Sequence, residues 1–251
     1  MTRQVTVRFH GRLEDFLPPA RRGQALTHGL LGRPAVKDVL ESLGPPHVEV
    51  ALLLVDGTSV GFGHRLEGGE RVEAFPEAPA PGPLAAHVPL APPPPEPLRF
   101  ALDVGLGRLA PLLRLLGFDA LWRNDWEDAA LARVTAGEGR VLLTRDVGLL
   151  KRGEVLHGYF PRAPRPDAQL LEVARRYGLW PRLRPFTRCL ACNGPLCDAP
   201  PGWVAARVPP RVRERHARFL ACEGCGRVYW EGSHHARMLA RLEALGAQLA
   251  P

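Results

Sequence analysis

The strongest constraint on the fold lies between residues 98 and 180, where short apolar runs alternate with segments whose apolar residues recur at helical spacing. Such alternation argues for an α/β fold, a parallel sheet with helices on both faces. The spacing predicts strands at Arg99–Asp103, Asp119–Trp122, Arg140–Thr144 and Val155–Phe160. It predicts helices over Leu106–Leu116 and Trp126–Ala136, a short one after Asp146, and a last one through "DAQLLEVARRYG" to Gly178. In "RFALDVGLGRLAPLLRLLGF" the first strand ends on Asp103, and in "RVLLTRD" the third runs through Val141, Leu142 and Leu143 into Thr144, Arg145 and Asp146. A carboxylate that closes a buried strand needs a reason. Ligands of such sheets bind outside the carboxyl ends of the strands, and Asp103 and Asp146 are expected there.

The stretch "WRNDWEDAALARVTA" adds Asp125, Glu127 and Asp128 just before or within the first turn of a helix. Each acid taken singly is explained as a cap, or as a charge favoured by the helix dipole. As a converging set, Asp103, Asp128 and Asp146 would need a cation to hold like charges together. Hard carboxylate oxygens select Mg²⁺ or Mn²⁺.

All five cysteines fall between positions 189 and 225, a distribution that suits a local metal site rather than a disulfide-stapled secreted domain. "CLACNG" and "CEGCG" present Cys189 with Cys192 and Cys222 with Cys225 from two tight turns, each with Gly or Asn where the backbone must curl. Two such pairs close a tetrahedral, structural Zn²⁺ site. The 29 residues between them exceed the 15 to 20 of the simplest ribbon, which implies an inserted hairpin or helix over about 209–219. Cys197 is left over as a free thiol, and His216, His234 and His235 would substitute as ligands only if a cysteine failed.

Residues 1–75 follow the order strand, strand, helix, strand, strand. "QVTVRFHG" alternates Val5, Val7 and Phe9, a partner is expected around Gln24–His28, "RPAVKDVLESLG" is helical with Gly44 as its stop, and "VEVALLLVDG" and "ERVEAFP" supply the rest. This resembles the ubiquitin-like and sulfur-carrier β-grasp proteins, most closely in "LLLVDG" and "GGERVEAFP". Carriers of that kind act through a C-terminal Gly-Gly, whereas Gly68-Gly69 falls in a turn here, so a docking or structural module is expected. From 76 to 97, ten of 22 residues are proline, which predicts a semi-rigid spacer. Each segment has its own apolar pattern, so the front and rear portions are expected to fold as separable modules.

Together, "LDVGLGRLAPLLRLLGFDA" and "DAALARVTAGEGRVLLTRD" resemble the compact PIN-like nucleases found as the C-terminal RNase domain of Mut-seven-type proteins, over roughly residues 98–238. The resemblance implies a nuclease domain at 98–180 and a zinc ribbon with a C-terminal helix at 181–251, behind a ubiquitin-like domain. It implies Asp103 as the first-strand acid, Asp128 as the helix-start acid and Asp146 as the acid of a Thr-x-Asp motif, all three catalytic and bound to Mg²⁺ or Mn²⁺. A fuller PIN site carries a fourth carboxylate on the helix between the first two; no acid lies in 104–116, and Asp125 and Asp119 are the nearest substitutes. The implied reaction is metal-dependent hydrolysis of RNA; Arg108, Arg114 and Arg145 are candidates for flanking phosphates, and Arg108 and Arg114 equally for the solvent face of a helix. "RVYWEGSHHARM" resembles the ribbon ending of that family; Tyr229, Trp230 and His234 are candidates for contact with single-stranded bases, and the two aromatics equally for core packing. The alternative is a non-catalytic RNA- or ribonucleoprotein-binding module, and the β-grasp segment implies a protein partner.

A formal net charge of +7 in 251 residues favours an anionic partner, and only Lys37 and Lys151 of the 33 basic residues are not arginine, the better phosphate fork. No run of eighteen apolar residues exists and "MTRQVTVRF" lacks a signal peptide's stretch, so no membrane role is expected and the chain reads as cytoplasmic.

Overall fold

The computed structural model describes residues 3–78 and 87–249. Its first sheet contains β1 (Gln4–Phe9), β2 (Ala25–Gly29), β3 (Leu52–Val55), β4 (Thr58–Ser59) and β5 (Arg71–Phe75) in the order β2-β1-β5-β3-β4, with helix α1 (Val36–Leu43) between β2 and β3. β1 and β5 pair in parallel at its centre and the remaining pairs are antiparallel, the β-grasp arrangement. The alternation of β1 puts Val5, Val7 and Phe9 inward, where they join Val36, Val39 and Leu40 of α1 in one core. The helix stops at Gly44 because φ there is 143°, and a Cβ would stand 2.6 Å from the Phe16 carbonyl oxygen.

In the second region, strand β6 (Arg99–Leu102) leads to α2 (Ala110–Leu115), β7 (Asp119–Trp122), α3 (Asp128–Gly137), β8 (Val141–Leu143), α4 (Val147–Leu150), β9 (Gly158–Tyr159) and α5 (Pro166–Tyr177). β6 and β7 are parallel, with Arg99 opposite Asp119, and so are β8 and β9, with Leu142 opposite Gly158. The expected stripe of Leu106, Leu109, Leu112, Leu113 and Leu116 is buried, but the α-helix is shorter than its stripe. A 3₁₀ turn covers Val104–Leu106, and α geometry begins only at Ala110, because Pro111 has no N–H to donate and is confined to a first turn.

The C-terminal region contains β10 (Leu196–Asp198), α6 (Pro201–Arg207), α7 (Pro210–Arg213), β11 (Phe219–Cys222), β12 (Val228–Trp230) and α8 (Ser233–Ala247). Its three strands form an antiparallel sheet in chain order, and the insertion expected over about 209–219 is helical but starts earlier, with α6 at Pro201 and α7 ending at Arg213. Helix α8 buries Leu242 and Leu245, and the Arg241 Nε donates to Asp167 Oδ1 of α5 at 3.1 Å.

The chain divides into two compact units, residues 1–95 with 128–160 and residues 96–127 with 161–251. The first unit joins the β-grasp segment to 128–160 by contacts that apolar patterning does not reveal. Glu49 is 1% exposed, accepts from the Phe160 N–H at 2.7 Å and pairs with the Arg12 Nε at 3.4 Å. The His47 Nε2 donates to the Val155 carbonyl at 3.0 Å, the Lys151 Nζ donates to the Glu41 carbonyl at 2.6 Å, and Phe16 meets Phe160 edge-on at 5.4 Å. Burial raises the Glu41 carboxyl, but hydrogen bonds from the ring and backbone N–H of His47 outweigh it and hold the group below its ordinary value. These contacts differ from the expectation of a front module free of the rest. Of the proline-rich segment, residues 79–86 lie outside the described residues; beyond them Leu90 packs against the front core. No helix among the described residues is long and apolar enough to cross a membrane.

Residues 1–80 and 87–251, made as separate chains and mixed, are therefore expected to co-elute in gel filtration. Glu49→Ala should weaken that association by about 3 kcal/mol, since removing one partner strands buried polar groups. Two peaks that never merge would show that these contacts do not hold the pieces.

Candidate functional site

The four cysteines of the two knuckles are, among the described residues, the group of three or more potential metal ligands whose ligand atoms all lie within 4.8 Å of one another. Cys189 Sγ lies 3.5 Å from Cys225 Sγ, and Cys192 Sγ lies 3.3 Å from Cys222 Sγ. Four thiolates 2.3 Å from a central zinc stand about 3.8 Å apart, so the donor set fits that ion with little adjustment. The two turns repeat one pattern. The N–H groups of Asn193 and Gly226 donate to the carbonyls of Cys189 and Cys222, and the N–H groups of Cys189 and Cys222 donate onward to the carbonyls of Gly194 and Arg227. Asn193 and Gly226 both take φ 72°, the left-handed curl that the sequence provides for. Gly194 is needed for another reason: a Cβ there would sit 3.1 Å from Cys222 Sγ.

The Tyr229 hydroxyl lies 3.1 Å from Cys189 Sγ. Burial pushes the Cys189 thiol up, but this hydrogen bond, the backbone N–H groups of Cys192 and Ala191, and the Cys225 thiol outweigh it and hold Cys189 at about 6. Burial pushes Cys192, Cys222 and Cys225 up. Cys197 stands apart on β10, exposed and outside the group.

The first knuckle is seated on strand β7 by residues that the sequence reading assigned elsewhere or missed. The Asn193 Oδ1 accepts from the Ala120 N–H at 2.9 Å, and its Nδ2 donates to Asp119 Oδ1 at 2.7 Å. Arg188 reaches Asp119 Oδ2 at 3.6 Å and donates to the Asn193 carbonyl. Arg114, a candidate for a flanking phosphate, is 3% exposed. Its Nε donates to the Ala120 carbonyl and its Nη1 to the carbonyls of Leu190 and Ala191, at 2.9–3.0 Å. It is a buried tie between α2, β7 and the knuckle, its donors taken by backbone carbonyls rather than open to a phosphate. The signal in the sequence was its place, a lone charge inside an otherwise apolar run from Leu109 to Leu116.

The carboxylates expected to share an ion are not in the close group, and each has a local role. Asp103 follows β6 and accepts from the Val104 N–H as cap of the 3₁₀ turn. Asp146 caps α4, accepting from the Leu149 N–H at 3.1 Å, while its own N–H donates to the hydroxyl of the buried Thr144 at 2.9 Å. Asp128 opens α3 and is exposed. The two substitutes for a fourth acid are occupied: Asp119 anchors the knuckle, and Asp125 takes both donors of Arg123 at 2.8 and 2.9 Å. Arg108 and Arg145 are exposed, Arg145 lying 5.9 Å from the Phe160 ring centre. Tyr229, Trp230 and His234 line one cavity of about 500 Å³ in the C-terminal region.

A β-grasp sheet, parallel α/β strand pairs and a four-cysteine centre define an α/β protein with a fused ubiquitin-like domain and a zinc-ribbon-type metal site. The Mut7-C RNAse domain family model matches residues 98–242 and the Mut7-C ubiquitin model matches residues 2–80, so the chain belongs to the Mut7-C RNase family and carries its ubiquitin-like domain in front. No curated protein and no solved structure gives a significant match. Membership points to a nuclease or RNA-related function, and the ubiquitin-like domain to protein interaction.

Metal analysis should find about one zinc per chain. Cys189→Ser or Cys222→Ser should lose it and loosen the residues after 185, because ligand binding carries much of such a domain's folding free energy; Cys197→Ser should keep it. Full zinc content in the Cys189→Ser/Cys222→Ser double variant would exclude the assignment. Asn193→Ala, which strands the Ala120 N–H and an Asp119 oxygen, should cost about 1–3 kcal/mol in denaturant unfolding.

Proposed function

We propose that this chain is a metal-dependent ribonuclease in which Asp103, Asp128 and Asp146 hold Mg²⁺ or Mn²⁺. The observation that carries the reading is the RNase-domain match over 98–242, which contains all three acids. Asp103 directly follows a strand and Asp146 comes three residues after one, the end of a parallel strand where ligands gather. The donor set of carboxylate oxygens suits a hard divalent ion. Bound there, such an ion polarises the scissile phosphate and lowers the pKa of a water nucleophile. The protein's own part is orientation: the Leu149 N–H fixes the Asp146 carboxylate, the Thr144 hydroxyl holds the Asp146 backbone N–H, and the Val104 N–H fixes the carboxylate of Asp103. Arg108 and Arg145 bind flanking phosphates, and the ribbon grips RNA through Tyr229, Trp230 and His234. The β-grasp domain docks a protein partner.

A second reading, a non-catalytic RNA-binding module, is favoured by one observation: residues 104–116, which include α2, carry no acid in the place of a fourth ligand.

Asp103→Asn and Asp146→Asn separate the two. Asparagine caps nearly as well as aspartate, so both variants should fold normally. On a panel of single- and double-stranded RNA and DNA with Mn²⁺ or Mg²⁺, wild type should cleave RNA and the variants should not. Their RNA binding should persist and fall with added salt. If wild type binds RNA but leaves every substrate intact with both metals, the binding module is the correct reading.

A further inference from the structure

At the head of α8 the C-terminal region holds a cavity of about 500 Å³, within the range that takes a small organic ligand. Much of its lining is apolar: the rings of Phe186, Trp230 and Tyr229, whose hydroxyl is engaged with Cys189, together with Leu220 and Val228. Trp230 is 37% exposed, a large indole left facing solvent. Phe186 is held at φ 60°, a backbone conformation costly for an aromatic residue, and its ring lies 4.1 Å from that of His235.

The rim is cationic. Helix α8 starts after Gly232, which has no side chain to cap it, so the first-turn N–H groups of Ser233, His234 and His235 have no side-chain acceptor there, and these residues line the cavity. Uncapped N–H groups at the positive end of a helix dipole favour an anion. The side chain of Arg218 is 69% exposed, with only a long contact of 3.6 Å to the equally open Asp198. Arg188, also on the cavity, is by contrast committed to Asn193 and Asp119. Glu231 is the one acid on the lining.

An apolar peptide has no use for the cationic rim, and a free phosphate has no use for the rings. A planar group carrying an anion uses both. We propose that this cavity binds one unstacked nucleobase of single-stranded RNA between its aromatic walls, with the adjoining phosphate on Arg218 and the start of α8. The proposal rests on the RNA reading above and narrows it to single strands, because a duplex keeps its bases stacked inside. The neighbouring insertion is suited to the phosphates that follow: residues 199–218 carry Arg207, Arg211, Arg213, Arg215 and Arg218 against Glu214 alone. Arg218 also lines a second hollow of about 380 Å³ with Val204 and Arg213.

The test uses full-length, zinc-loaded protein carrying Asp146→Asn, so that no strand is cut. Fluorescence anisotropy follows a labelled 10-nucleotide single-stranded RNA, its duplex, and the same strand with abasic riboses. Trp230→Ala is expected to weaken binding of the intact strand about tenfold, and Arg218→Gln to weaken it and flatten its salt dependence. The abasic strand should bind the parent as weakly as the intact strand binds Trp230→Ala, and that variant should no longer distinguish the two strands. If Trp230→Ala loses its zinc, Arg218→Gln and the abasic strand decide. Equal binding of intact and abasic strands, equal binding of duplex and single strand, or zinc-retaining variants that bind like the parent would overturn the pocket. Cleavage by wild type in that case would leave the ribonuclease reading standing, whereas a wild type that neither binds nor cleaves RNA would remove both.

Discussion

Four sulfur atoms within 4.8 Å of one another are the constraint on which the C-terminal half depends. As neutral thiols they gain little from that proximity, and the protein by itself eases only Cys189 toward the thiolate while burial raises the other three. A zinc ion would supply what is missing: bound by the four sulfurs it would displace their protons and tie two turns 29 residues apart in sequence, and its hold would weaken as acid returns the protons. Without it, β10, β11 and β12 have only Ala221, Cys222 and a few half-buried side chains as a core.

That centre is coupled to the α/β strands by polar ties rather than apolar packing alone. Asn193 serves three ends: its backbone makes the left-handed curl of the knuckle, its amide oxygen satisfies the Ala120 N–H of β7, and its amide nitrogen engages Asp119. Arg114 satisfies three carbonyls on both sides of the same junction. Loss of metal therefore reaches β7 through hydrogen bonds that need the knuckle in its folded shape. The same ties explain why Asp119 is not available to the carboxylate set.

What the sequence made legible follows from period and chemistry. The two-residue alternation of Val5, Val7 and Phe9, the leucine stripe after Asp103, and the paired C-x₂-C turns each have one cheap structural solution, and each takes it. The misreadings come from residues whose meaning is set by distant partners. Spacing alone leaves Arg114 as a candidate phosphate fork, because it cannot say that carbonyls 76 and 77 positions away need donors. Glu49 gave no signal in the run "VEVALLLVDG", although its carboxylate bonds a backbone N–H 111 residues later. Asp103 and Asp146 were legible as acids ending strands, and capping is a role they do perform. A cap spends hydrogen-bond capacity on one side of a carboxylate and fixes its direction, which for a metal ligand is preorganisation rather than competition.

Within its own unit, the ubiquitin-like domain contacts the segment that carries Asp128 and Asp146. Val155 and Tyr159, both buried, sit in a stretch whose backbone groups are bonded by His47 and Glu49. Without residues 1–78, the Phe160 N–H would lose its acceptor, Phe16 would no longer cover Phe160, and Lys151 would lose the Glu41 carbonyl. A partner that binds the front domain and shifts these contacts would act on Asp146 through α4, whose last turn leads directly into Lys151. The front domain is thus part of the scaffold of the proposed site, and a tether-and-cargo description does not account for its buried Glu49.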